Sequence, residues 1–78
     1  MKDDDLPALP VISPGRYRHY KGGEYEVLDT ARHSETLEPM VVYRALYGAQ
    51  GLWVRPAHMW SERVTHNAQV VQRFVRLV

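Results

Sequence analysis

From Gly15 onward the chain runs as short apolar and aromatic segments parted by turn residues, the pattern of strands rather than of long helices. "GRYRHY" (15–20) and "EYEVLDTAR" (24–32) are rich in rings and β-branched side chains, and the "KGG" between them supplies a tight turn. They predict an antiparallel hairpin. Polar "HSETLEP" breaks the pattern before "MVVYRALYG", which predicts a third strand at about 40–47 closed by Gly48. "LWVRP" predicts a fourth strand stopped by Pro56, and "AHMWSE" a single helical turn. The last segment, "AQVVQRFVRLV", sets Val70, Val71, Phe74, Val75 and Val78 at helical spacing yet is β-branched; a final strand at about 71–76 is expected, with a short amphipathic helix as the alternative.

Residues 1–14 hold Pro7, Pro10 and Pro14, each biasing its predecessor away from helix, so an extended N-terminal arm is expected ahead of one domain over 15–78. Several short strands and one helical turn predict a mainly β fold: a small, strongly bent antiparallel five-stranded barrel. A chain of 78 residues hides only roughly 60% of its unfolded surface, which argues against a deep active-site cleft. With no cysteine, disulfides, thiolate metal sites and cysteine nucleophiles are excluded. The acidic, proline-interrupted start lacks the apolar run of a signal peptide, no stretch is long enough for a bilayer span, and a cytoplasmic protein without membrane contact is expected.

The net charge of +1 gives little long-range attraction for nucleic acid. Asp3, Asp4 and Asp5 are confined to the arm, however, so the domain itself is more basic than the total. Strand alternation sends Tyr17 and His19 one way and Arg16, Arg18 and Tyr20 the other, and it predicts Tyr17 opposite Tyr25 or Val27, with the arginines facing Glu24 or Glu26 outside. On the third strand Val41, Tyr43 and Tyr47 share one face and Met40, Val42 and Leu46 the other. Two apolar faces predict a central strand or one covered by another subunit, and open strand edges make a homo-oligomer the expected state.

The segments "GRYRHYKGGEYEV", "ARHSETLEPMVVYRALYG" and "LWVRPAHMWSERV", with the later "RF", resemble a family of short bacterial proteins of unknown function, over nearly all of Gly15 to Phe74. The resemblance implies an Sm-like, SH3-type barrel in which the "LWVRPAHMW" corner lines a groove. Sm-like barrels bind RNA mostly as rings, but the Asp-x-x-Asn turn and Arg-Gly pair of a typical Sm RNA site are missing from this chain.

Seven residues are candidates for ligand binding: Tyr20, Lys21, His33, Glu35, Trp53, Arg55 and Trp60. Rings stack on bases and cations neutralise phosphates, which makes single-stranded RNA the first expected ligand and Tyr20, Lys21, Arg55 and Trp60 its contacts. An inward Arg55 would instead need a carboxylate, with Glu35, Glu38 and Glu62 available. A second reading is a protein-interaction or assembly domain that takes a peptide, or another copy of itself, through an aromatic groove or an edge strand. A third, a small hydrolase using His33, Ser34 and Glu35, is disfavoured because adjacent residues of an extended chain point apart while a triad must converge. No enzyme activity is expected. His19, His33, His58 and His66 fall in no metal-ligand spacing, so neither a metal nor a cofactor is expected.

Overall fold

The structure, a computed structural model, describes residues 6 and 8–77. Seven strands and one helical turn follow in order: β1 (Gly15–His19), β2 (Glu24–Arg32), β3 (Pro39–Ala45), β4 (Leu52–Pro56), α1 (Ala57–Trp60), β5 (Arg63–His66), β6 (Gln69–Gln72) and β7 (Phe74–Arg76). Five of them form one antiparallel sheet in the order β4-β3-β2-β1-β7, and β5 and β6 pair separately as a hairpin. The expected strands from Gly15 to Pro56 and the helical turn are all present. The closed barrel is not: among the described residues β4 and β7 end the sheet as unpaired edges.

Alternation sets the register. Tyr17 stands opposite Tyr25 with Gly15 opposite Val27, so the β1–β2 hairpin directs its rings to one face. On the other face Arg16 and Arg18 both reach Glu24, at 2.9 and 3.4 Å. Between β2 and β3 the register slips from Val27 to Asp29, leaving Leu28 as the extra residue of a bulge. A bulge bends its strand and increases local twist, which curves the sheet around its inner face.

That face is closed by α1. Pro56 ends β4 and holds the first turn, and Trp60, 3% exposed, lies inside the curve. Its indole stacks on Phe74 at 3.7 Å with the planes 2° apart, meets Tyr17 edge-on at 5.4 Å and tilts against Tyr43 at 5.0 Å. Tyr17, Val27, Val41, Tyr43, Ala57, Trp60 and Phe74 make up the core, with Ile12 of the arm packed on it. The arm is held there by the Tyr17 hydroxyl, which donates to the Ser13 carbonyl at 2.7 Å. Asp3, Asp4 and Asp5 lie outside the described residues.

The C-terminal region departs from expectation. Instead of one strand at 71–76, residues 63–72 form the β5–β6 hairpin and β7 is only three residues long. Asn67 and Ala68 take φ of 52° and 63°, the left-handed pair of a two-residue hairpin turn, and Val64 and Val71 pair across the ladder. Asn-Ala is a weaker turn signal than Asn-Gly because alanine resists that conformation, and the turn was therefore missed. Arg73 separates the two strands: its N–H donates to the Glu62 carbonyl at 3.0 Å, its carbonyl accepts from Tyr20 N–H at 3.0 Å, and its guanidinium pairs with Glu62 at 2.7 Å.

Trp60→Ala should cost about 3–5 kcal/mol, close to the whole stability of so small a domain. Trp53→Ala, at a side chain 61% exposed, should stay within about 0.5 kcal/mol. Urea unfolding followed by far-UV circular dichroism measures both; similar midpoints for the two variants would contradict this placement of the core.

Candidate aromatic groove

Antiparallel pairing distributes the seven candidate residues over both ends of the sheet. The 20–23 turn and the 46–51 loop lie at one end of β2 and β3, and the 33–38 loop at the other. His33 and Glu35 are thus parted from Tyr20, Lys21 and Trp53. His33 Nδ1 accepts the backbone N–H of Glu35 at 3.1 Å and of Thr36 at 3.3 Å, so it holds its own loop. Such a ring nitrogen is engaged by backbone and not poised over a serine. No group of three His, Asp or Glu side chains able to hold a metal occurs among the described residues.

Trp60 is a core residue and leaves the site. Arg55 shares the inner face with Trp53, as expected, but among the described residues no carboxylate meets it: its guanidinium lies 5.6 Å from the centre of the Phe74 ring, and Nε is buried without a hydrogen-bond partner there. The expected partners are placed elsewhere, Glu62 on Arg73 and Glu38 within 3.6 Å of His58. An aromatic face in place of a carboxylate is tolerable for guanidinium, which is weakly hydrated and stacks well.

Tyr20 and Lys21 form a small patch with His19. The Tyr20 ring lies 4.4 Å from His19 and 5.1 Å from His66 of the hairpin, while Lys21 Nζ sits 5.7 Å over Tyr20. Tyr20 therefore joins the turn to the hairpin rather than standing free. An apolar hollow of about 340 Å³ opens beside it, walled by Val71, Val75 and Leu77. Arg18, His19, His66 and Gln72 bring polar groups to it from the strand and hairpin beside those aliphatic walls.

Trp53 belongs to a different surface. Opposite Tyr43 on the inner face, it continues the row of core rings outward past the edge of the core. With Tyr25, Tyr43 and Tyr47 it lines a groove of about 270 Å³, with Ala45 and the Gly48–Gly51 loop completing the lining. Tyr25 meets Tyr43 and Tyr47 nearly at right angles, with ring centres 5.5 Å apart in each case, and its hydroxyl is 2.7 Å from that of Tyr47. Gly23 makes this possible: a β-carbon there would come within 3.1 Å of the Tyr25 hydroxyl and 3.3 Å of the Tyr47 ring. Burial, and then the bond to Tyr47, push the Tyr25 hydroxyl up to about 12, so it stays neutral. Among the described residues no charged side chain lines the groove.

Sequence reasoning grouped Trp53 with Arg55 and Trp60 around the "LWVRPAHMW" corner and did not single out the three tyrosines beside it here, which read as strand residues. The available signal was Tyr47 immediately before Gly48: β3 ends at Ala45, so a ring in the loop beyond it has no paired strand to cover it. The arginines, by contrast, are largely engaged. Glu24 takes Arg16 and Arg18, Glu62 takes Arg73, the Gln50 carbonyl accepts from Arg44 at 2.7 Å and the Pro14 carbonyl from Arg76 at 3.2 Å.

Comparison with known proteins gives a family and a structural relative. The family described as "Protein of unknown function (DUF1653)" matches residues 15–76. A crystal structure of a DUF1653 protein from Bordetella bronchiseptica is similar at 40% identity with a TM-score of 0.80, over 90% of this chain and 92% of that one. No curated protein matches.

The Tyr20 patch generates a pH dependence. Burial, followed by the fields of Arg55, Arg73 and Lys21, holds the His19 imidazole below its ordinary 6.5, and its Nδ1 accepts the Lys21 N–H at 3.1 Å. The unfolded chain therefore binds this proton first, and stability must fall as pH drops from 6.5 toward the lowered folded value. Urea midpoints measured at about pH 7.5 and about pH 5.5 should differ less in His19→Gln than in the parent. An equal drop in both proteins would remove His19 from the linkage.

Proposed function

The chain belongs to the DUF1653 family of proteins of unknown function, and on that premise we propose that it is a non-catalytic protein-interaction module whose aromatic groove takes a short, extended, uncharged peptide. The observation that carries this reading is the lining of the groove: four rings, hydroxyls and loop backbone, with no charge among the described residues. Aromatic-lined grooves of this kind suit proline-rich segments, whose preformed extended helix stacks on rings and loses little entropy on binding. The order β4-β3-β2-β1-β7, with one helical turn after β4, supports an Sm-like, SH3-type arrangement into which the β5–β6 hairpin is inserted.

Single-stranded RNA, the first ligand expected from the residues, has less support. A nucleic-acid surface needs cations free to displace counterions from phosphates. Here carboxylates and carbonyls engage five of the arginines, and Trp60 is out of reach. Lys21 beside Tyr20 is the feature that favours RNA, and the test includes it.

Isotope-labelled protein titrated with a proline-rich decapeptide should show amide shifts confined to Tyr25, Tyr47, Gly48, Gly51 and Trp53, and Tyr47→Ala should weaken the interaction about tenfold or more. Oligouridylate at two salt concentrations should leave those signals in place. Salt-sensitive shifts at Tyr20 and Lys21 with RNA, and none with peptide, would replace this reading by the RNA one.

A further inference from the structure

The two edges of the sheet are unequal. β7 is three residues long, and the phase of its ladder follows from two bonds: Leu77 N–H to the Arg16 carbonyl at 2.7 Å and Tyr20 N–H to the Arg73 carbonyl at 3.0 Å. Residues 73, 75 and 77 thus turn their backbone to β1, which leaves Phe74 and Arg76 facing out. A charge on so short a strand is the usual guard of an edge.

β4 has no such guard. Ala45 N–H donates to the Gly51 carbonyl at 3.3 Å, and the register runs from Arg44 opposite Leu52 to Met40 opposite Pro56. Alternation then turns residues 51, 53 and 55 toward β3 and leaves the N–H and C=O of Leu52 and Val54 unpaired at the edge among the described residues. Pro56, also facing out, has no N–H to leave unmatched. Leu52, Trp53 and Val54 are 56, 61 and 59% exposed, apolar on both faces.

We propose that β4 pairs with β4 of a second copy, antiparallel about a two-fold axis through Trp53. This register alone lets both edge residues exchange both hydrogen bonds: Leu52 of each chain bonds with Val54 of the other, four bonds in all by the alternation rule. The side chains agree with it. Leu52 stands against Val54 twice on the outer face, and Trp53 against Trp53 on the inner face, at the position where facing residues come closest. Arg55 falls opposite Gly51, whose missing side chain leaves the guanidinium room, and Pro56 falls opposite Gln50, where the strand has already ended. An axis moved to Val54 would set Leu52 against Pro56, which has no N–H to return. The occupant is a second copy because the strand complements itself in backbone phase, in shape and in absence of charge at the same axis.

The dimer would continue the sheet to ten strands and set two aromatic grooves side by side on one face. The patch is small, so the association is weak and in fast exchange. Val54 faces away from the groove, whereas Trp53 at the axis also lines it, so Val54→Lys acts on the interface alone and Tyr47→Ala on the groove alone.

Sedimentation velocity from about 0.05 to about 1 mM should show a reversible monomer–dimer equilibrium. Val54→Lys should abolish it with an unchanged urea midpoint, while Tyr47→Ala, in the groove, should still dimerise. Amide exchange should show Leu52 and Val54 gaining protection with concentration, whereas Trp53 and Arg55, bonded to β3, stay protected throughout. A monomer at all concentrations, a dimer indifferent to Val54→Lys, or concentration-dependent protection at Phe74 and Arg76 instead would each overturn the proposal. Peptide binding by the Val54→Lys protein tests the groove separately.

Discussion

Everything in this domain depends on one indole being held inside a bent sheet. Trp60 touches β1 through Tyr17, β3 through Tyr43 and β7 through Phe74, so a single side chain joins strands that are distant in the chain. In a protein of 78 residues no second core could replace it. The bulge at Leu28 curves the sheet, Pro56 turns the chain back over the curve, and the helical turn is just long enough to deliver the ring. The indole N–H is buried without a partner. That is a real cost, and stacking on Phe74 with apolar burial outweighs it.

The same row of rings explains why core and surface grade into each other. Tyr17, Tyr43 and Phe74 are buried, Tyr25 is half-buried, and Tyr47 and Trp53 are exposed, yet all lie on the inner side of one sheet. The sheet is longer than its plug. Where Trp60 ends, the inner face continues as the groove, and the tyrosine hydroxyls give it polarity. On the outer face Glu24 serves two arginines at once, and its carboxyl is held below its ordinary range by their hydrogen bonds.

Much of the fold was legible because β1 to β4 follow a period of two with strong punctuation. "KGG" and Pro56 fall where the chain turns or stops, and alternation put Tyr17 opposite Tyr25 or Val27, of which the structure takes Tyr25. The hairpin was not legible, because Asn67-Ala68 adopts a turn that alanine disfavours and the valines beside it fit helix and strand equally. The site was legible only in part. Trp53 and Trp60 are seven residues apart and chemically identical, yet one lies on an edge strand beyond the core and the other fills it. That difference is set by the curvature of the whole sheet, which no local pattern encodes. Arg55 shows the same limit, since its stacking partner Phe74 comes from the far end of the chain.

The neck formed by Glu62 and Arg73 gives the β5–β6 hairpin a distinct standing. A backbone bond and an ion pair join the two residues on either side of 63–72, so the main sheet receives the chain at Glu62 and resumes it at Arg73 with the gap already closed. Whatever lies between them is structurally an inset. With the neck closed, a change in the hairpin's length is borne by its contact with Tyr20 rather than by α1 or β7. The hairpin is thus where this architecture can diversify its surface while the indole and its sheet stay fixed.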